Sequence, residues 1–370
     1  MSEWKEYKLG EIANVQTGPF GSQLHQSDYV DVGIPSIMPV NIGDRMNIST
    51  EKIVYITEED AMRLSRYRVQ VGDIVYSRRG DVEKCAYINE SEVGWLCGTG
   101  CLRIRMNSSH VDSKFVAYYL STDEMKSWLS NNAVGTTMPN LNSSILQQVP
   151  LTLPPLDEQK RIASILSSLD DKIDLLNREN ATLEAMAETL FRQWFIEEAK
   201  EDWEEGKLGD LIEVKYGKDH KKLKDGNIPV FGSGGIMRYA DTALYDKESV
   251  LIPRKGSLNN VMYINEPFWT VDTMFYTEMR RPNIAKFIYH FMKGQDLANM
   301  NVGSAVPSMT TEVLNNIPID IPPQNVFDKY ENSVGVLYYK KEYNNKQIQT
   351  LIHTRDGLLP KLMSNEISIK

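Results

Sequence analysis

The chain repeats itself, and the length of the repeat limits what it can fold into. Trp4-Lys5-Glu6-Tyr7-Lys8-Leu9-Gly10-Glu11 returns as Trp203-Glu204-Glu205-Gly206-Lys207-Leu208-Gly209-Asp210. Val15 and Gly18 recur in the same register as Val214 and Gly217, and Gly33-Ile34-Pro35 is echoed by Asn227-Ile228-Pro229. Asp73-Ile74-Val75-Tyr76-Ser77-Arg78-Arg79-Gly80 matches Ser249-Val250-Leu251-Ile252-Pro253-Arg254-Lys255-Gly256. Lys114-Phe115-Val116 matches Lys286-Phe287-Ile288, and Val134-Gly135-Thr136 with Pro139 matches Val302-Gly303-Ser304 with Pro307. Each copy closes on a proline pair, Pro154-Pro155 or Pro322-Pro323, and then opens a long charged segment. Landmark order is kept while the spacings shrink. A period of roughly 180 residues describes a domain duplicated once, with diverged loops, and is far too long for a solenoid.

Within each copy, segments such as KIVYI, DIVYS and CLRIRM, or VLIPR, VMYIN and MFYTEM, are short and β-branched or aromatic, with turn residues at their ends. They predict strands. Helical intervals are expected at 58–67, 113–130 and 283–300. Each half is therefore mixed α and β, and the chain reads globular–helix–globular–helix.

After Pro155, acidic Asp157 and Glu158 suit a helix N-terminus. Apolar residues then alternate at spacings of four and three: Ile162, Leu166, Leu169, Ile173, Leu176, Asn180, Leu183, Ala187, Leu190 and Trp194. Only Asn180 is polar. This narrow seam of period 3.5 predicts a coiled-coil surface, whereas a helix on a globular core shows a wider stripe of period 3.6. The distal segment keeps a weaker seam through Tyr330, Val334, Leu337, Lys341, Asn344, Ile348, Leu351, Arg355, Leu358 and Leu362, again with asparagine near its middle at Asn344 or Asn345. The nearest partner for one seam is the other. Asn180 and Asn344 or Asn345 are expected to meet and fix the register, because slippage leaves an amide unpaired. About 35 helical residues make a rod of roughly 50 Å. Antiparallel rods would hold the two halves apart about a pseudo-twofold axis, at a spacing suited to two sites about one to one and a half turns of B-DNA apart, roughly 34 Å per turn.

At 370 residues the chain has room for two cores, and 41% apolar with 25% charged residues is ordinary for a globular protein. No apolar run approaches bilayer length, and the N-terminus lacks the basic flank and apolar core of a secretory signal. Cys85, Cys97 and Cys101 make too few thiols for a disulfide framework; they suit a reducing cytoplasm and read as buried structural cysteines. No metal site is expected: the five histidines are scattered, and no His-Glu-x-x-His motif occurs. Glu213-Val214-Lys215 imitates part of a nuclease metal site in one half only. Leu153 and Ile321 precede the proline pairs where an adenine methyltransferase carries Asn or Asp, FGSGG reads as a tight turn, and no phosphate-binding Gly-x4-Gly-Lys loop is present. The chain is expected to be non-enzymatic.

A net charge of −9 describes long-range field, while local clusters decide where phosphates dock. The first half offers Arg45, Arg63, Arg66, Arg68, Arg78, Arg79 and Lys84. The second offers Lys215, Lys218, His220, Lys221, Lys222 and Lys224, then Arg238, Arg254 and Lys255. Arg78-Arg79 and Arg254-Lys255 stand out, since both follow matched strands and precede a matched glycine. The hydroxyl- and amide-rich loops around Thr136, Thr137 and Asn140, and around Ser304, suit contact with a nucleic-acid backbone or groove edge.

The run LPPLDEQKRIASIL…LDDKIDLLNREN…ETLFRQWF resembles the central conserved region of specificity subunits of type I restriction–modification systems. WKEYKLGEIANVQTGPFGSQL resembles the start of their first target-recognition domain, and GLLPKLMSNEI their C-terminal end. The second junction departs from the pattern, reading Pro322-Pro323-Gln324-Asn325 without Glu-Gln. The resemblance implies an α+β fold, with two similar mixed α/β target-recognition domains in tandem, separated by two long antiparallel helices forming a coiled coil. The expected domains are 1–155 and 200–323 for target recognition, with conserved helices at 156–199 and 324–370. It further implies a non-catalytic subunit that reads a split target on double-stranded DNA. Two methyltransferase subunits holding S-adenosylmethionine would methylate adenine, and restriction subunits using ATP and Mg would complete the complex. A coiled-coil scaffold that binds no nucleic acid is the alternative.

Overall fold

The computed structural model describes residues 4–135, 139–300 and 308–367. The chain divides into two units, Met1–Leu175 with Gln347–Lys370, and Leu176–Lys346. Each contains one lobe and a stretch of each of two long helices, Leu156–Arg192 and Gln324–Met363.

In the first unit, Lys5–Lys8 pairs antiparallel with Pro150–Leu153, with Lys5 opposite Leu153. A four-stranded antiparallel sheet follows the order Ala13–Thr17, Cys101–Met106, Ile74–Ser77, Cys85–Tyr87. Its central strand, Ile74–Ser77, is buried along its length, as its unbroken apolar run Ile-Val-Tyr dictates. A second sheet is ordered Tyr29–Val30, Val54–Ile56, Ile34–Ile37, Leu96–Cys97, the last pair parallel.

The second unit repeats this plan. Glu204–Lys207 pairs with Pro318–Ile321, with Glu204 opposite Ile321. The larger sheet is ordered Ile212–Tyr216, Met274–Met279, Ser249–Pro253, Met262–Ile264. The smaller is ordered Gly235–Ala240, Ile228–Gly232, Trp269–Thr270, again with one parallel pair. It lacks the extra strand that covers Val54–Ile56 in the first lobe, so Gly235–Ala240 is left as an edge.

The helix expected over 113–130 is two helices, Ser113–Leu120 and Asp123–Asn132. Thr122 ends the continuity, because its hydroxyl caps a new N-terminus by accepting from the Met125 amide. The interval at 283–300 narrows to Ala285–Lys293. Pro155 and Pro323 precede the long helices, where a missing N–H costs nothing.

Both helices join the lobe cores. In the first unit, Ile162, Ala163, Leu166, Leu362 and Met363 belong to the same buried cluster as Leu151 and Leu153. Asp170 accepts from Arg355 at 2.7 Å and from the Tyr118 hydroxyl at 2.6 Å. In the second unit, Ala187 and Phe191 pack with Phe327, Tyr330, Val334 and Tyr338. There Asn180 donates to Asn345 at 2.8 Å and Asn344 donates to Asn180 at 3.0 Å. Lys341 bonds Glu184, so the pairing within this unit is antiparallel.

Candidate nucleic-acid interface

Two buried strands, Ile74–Ser77 and Ser249–Pro253, deliver the basic pairs to equivalent places. Gly80 at φ 77° and Gly256 at φ 84° turn the chain immediately afterwards, a conformation that favours glycine. The Arg78 amide donates to the Gly100 carbonyl and the Arg254 amide to that of Thr273, each at 2.8 Å. In return, the amides of Leu141 and Met309 donate to the carbonyls of Arg78 and Arg254, at 2.9 and 2.8 Å. Arg79 thereby bridges Asn140, and Lys255 bridges Ser308. Each basic pair is pinned beside the polar segment that precedes its lobe's last strand. Thr136, Thr137 and Ser304 lie outside the described residues.

The remaining cations fall into two groups. Arg45 pairs with Asp174 at 2.8 Å, Arg63 with Asp60 at 2.5 Å, and Lys84 with Asp44 at 2.7 Å. Hydrogen bonding and charge from Lys84 hold the Asp44 carboxyl below its usual range. Arg66 lies over the Tyr67 ring and donates to its hydroxyl. These charges are already engaged inside the chain. Arg79, Lys218, Lys221, Lys222, Lys224 and Lys255 are exposed, and no carboxylate pairs with them among the described residues.

The lysine loop lies along the edge strand Gly235–Ala240. Arg238, a cation in the sequence reading, clamps that loop: it donates to Leu223 at 3.1 Å and to Asp225 at 3.0 Å. The Asp241 amide donates to Lys224 at 3.0 Å. The hairpin tip touches the basic pair's loop, since Asn260 donates to Ser233 at 2.8 Å and a Cβ on Gly256 would meet Ser233 Oγ at 2.9 Å. Ile236, Met237 and Tyr239 are more than half exposed on this edge. The sequence reading passed over them, although a Gly-Gly turn followed by apolar residues with no covering strand was the available signal.

Glu213 is engaged by Lys215 at 2.5 Å, which leaves a surface pair in place of a metal site. No group of three or more His, Cys, Asp or Glu that could hold a metal occurs among the described residues. The FGSGG run forms a hairpin in which Gly232 faces Gly235. All three cysteines are free and buried, and burial pushes the thiols of Cys85 and Cys97 up to about 12. No described helix is long and apolar enough to cross a membrane.

On the helices, Ile162, Leu166 and Ile173 are buried in the first unit, and Leu176, Asn180 and Asn344 in the second. Ile348, in the first, is buried as well. Leu169, Leu183, Leu190 and Leu351 are partly buried, and Asn345 is exposed while still bonded to Asn180. The helix starts carry an unexpected correspondence. Gln159, buried, donates to the carbonyls of Pro154 and His110 and accepts from the Asp112 amide. Gln324 donates to the carbonyl of Pro282, which holds the place of His110 in the repeat. The two glutamines sit at different positions in their junctions, and so their shared task is invisible to alignment.

Two lobes of one topology, each building a pinned basic pair and each joined to paired long helices, define a tandem recognition protein. The family model described as "Type I restriction modification DNA specificity domain" matches residues 1–185 and 200–329. The chain belongs to that family of specificity subunits. The MjaIX specificity subunit of Methanocaldococcus jannaschii is 24% identical over 417 residues, all of this chain and 94% of that protein. The MjaVIII specificity subunit of the same organism is 24% identical over 317 residues, covering 73% of this chain and 73% of its own. The crystal structure of the type I restriction–modification S subunit from M. genitalium has the same fold, with a TM-score of 0.63 at 18% identity, over 98% of this chain and 96% of that one. As a member of this family, the protein is a non-catalytic subunit that recognises DNA sequence and directs partner methyltransferase and restriction subunits.

Proposed function

We propose that residues 1–155 and 200–323 each read one part of a split target on double-stranded DNA. The helices at 156–199 and 324–370 set the unread gap and bind two methyltransferase subunits. Adenine methylation, with S-adenosylmethionine held by those partners, and ATP- and Mg-dependent restriction follow from where this chain docks the complex in the cytoplasm. The supporting observation is the twice-built loop, in which a basic pair is held by backbone bonds beside Asn140 or Ser308. Arg78, Arg79, Lys218, Lys221, Lys222, Lys224, Arg254 and Lys255 contact DNA directly, with Asn140, Thr136, Thr137 and Ser304 alongside. Arg45, Arg63, Arg66 and Lys84 join by exchanging an internal partner for phosphate, since exposed ion pairs are worth little on their own.

The test maps methylated adenines in cells carrying the partners. Exchanging residues 200–322 for those of a relative should change one half of the methylated motif only. Adding about four residues, one turn, to the central helix should widen the gap alone. Both halves changing together in either experiment refutes the reading. A complex that shows no sequence-selective retention of DNA at any salt leaves the helical scaffold in its place.

A further inference from the structure

Lys286 and Lys293 lie over tyrosine rings and are paired with carboxylates, whereas Arg254 lies over a ring with no carboxylate partner among the described residues. The Arg254 guanidinium lies over the Tyr216 ring, 5.3 Å from its centroid. Its Nη1 donates to the Asp272 carbonyl at 3.2 Å. Its backbone is bonded on both sides, to Thr273 and from Met309, each at 2.8 Å. Tyr216 is in turn fixed edge-on against the buried Phe275 ring at 5.1 Å, yet remains 52% exposed. No carboxylate neutralises Arg254 among the described residues. The side chain is therefore both rigid and uncompensated.

A cation meant only to neutralise phosphate has no need of this support. Phosphates are reached well by mobile, strongly hydrated ammonium groups, as the exposed lysines 218, 221, 222 and 224 provide. A guanidinium held over a ring and tied through Nη1 to a backbone carbonyl presents an edge of remaining N–H groups that is oriented before DNA arrives. That edge matches the paired O6 and N7 acceptors of guanine in the major groove, and holding it in advance lowers the entropic cost of docking. The equivalent place in the first lobe has Thr17 in place of Tyr216; among the described residues no ring lies under Arg78, and its buried Nε has no partner. The arrangement belongs to the second lobe alone.

We propose that Arg254, preset on Tyr216, reads a guanine in the second lobe's part of the target, while Lys255 and the neighbouring lysines neutralise phosphates. This rests on the DNA-reading function above and assigns the division of labour within it. Tyr216 is a positioning residue that acts through the arginine.

The experiment uses the full chain assembled with its methyltransferase partners and a library of double-stranded DNA of random sequence, selected for binding and sequenced. Wild type should enrich a two-part motif with a G·C pair in the part lost when residues 200–322 are exchanged. R254K should lower the preference at that one pair roughly tenfold to a hundredfold and leave other positions alone. Y216L should lower it at the same pair by a smaller factor. K255Q should weaken all sequences alike and reduce the salt slope of binding by roughly one. A wild-type complex that enriches no motif overturns the function itself, and this inference with it. An enriched motif without G·C in that part, or one whose preferences under R254K persist or fall at every position alike, overturns only the arginine–guanine assignment. If R254K does not assemble, Y216L decides, and an unchanged preference there is equally fatal.

Discussion

The Asn180 side-chain amide donates to Oδ1 of Asn345 at 2.8 Å, and the Asn180 carbonyl oxygen accepts from Asn344 at 3.0 Å. Asn344 also donates to Glu179 at 3.0 Å, and is itself fully buried with its Oδ1 unpaired. One amide cluster thus sits inside the pairing, and a slipped alignment breaks both of its Asn–Asn bonds. Asn180→Leu or Asn344→Leu strands buried amide groups on the partner helix and should cost about 1–3 kcal/mol each. The double replacement should cost less than the sum, by more than about 0.5 kcal/mol, in urea unfolding. Strict additivity would mean that the contact sets nothing.

Stability should depend on pH through His290. Burial pushes its pKa down to about 4, Glu184 opposes that shift, and Lys293 and Lys341 assist it. Its Nε2 lies 2.9 Å from the Tyr338 hydroxyl. Between about pH 6.5 and 4 the unfolded chain binds a proton that the folded chain refuses. The stabilisation is therefore complete above pH 6.5 and declines by up to about 3 kcal/mol as the pH falls to 4. His290→Gln should flatten this window in melting curves. The contribution of Glu184 falls elsewhere. Burial alone would raise its pKa, yet hydrogen bonds from Lys341 and Tyr289 bring it from 4.5 down to about 2, so its stabilisation declines progressively as the pH falls from about 4.5 and is gone by about 2.

Replacing either of two matched glycines should unfold its own lobe first. A Cβ on Gly18 would meet the Gly98 carbonyl oxygen at 2.2 Å, and one on Gly217 would meet that of Val271 at 2.0 Å. Backbone cannot swing aside as a side chain can, so each alanine should cost about 1–3 kcal/mol. Gly357, on the distal helix with open space around it, is the control. Alanine there should stabilise by roughly 0.5–1 kcal/mol.

Salt dependence should separate engaged cations from free ones. Arg79→Gln and Lys222→Gln should each reduce the slope of log affinity against log salt by roughly 0.9. Lys84→Gln, whose charge is tied to Asp44 and Asp81, should change it less. The carboxylates that Lys84 leaves behind take cations back up, so equal effects across all three would mean that Lys84 has no internal partner to exchange.

Duplication and the seam were legible in the sequence because both are periodic: a repeat shows itself in landmark order, and a helix face in spacings of three and four. The state of each cation was not. Arg45 finds Asp174 and Lys84 finds Asp44 across gaps in sequence that no local pattern encodes. In the sequence Lys286 is only a landmark of the repeat, matching Lys114. In the fold it is buried between the Tyr263 and Tyr338 rings and bonded to Glu248 and Glu331, at 2.9 and 2.5 Å. The placing of Arg254 over Tyr216 likewise depends on two strands set on either side of Met274–Met279, which only the sheet order supplies.

The ladders that join Lys5–Lys8 to Pro150–Leu153, and Glu204–Lys207 to Pro318–Ile321, have an evolutionary consequence. Neighbouring strands lie about 4.8 Å apart, so the chain leaves each lobe almost where it came in. Whatever lies between those ends is a cassette closed by its own clasp. Recombination at the clasp can deliver a new vocabulary of targets in one event, provided that the incoming cassette keeps the side chains that pack on the helices.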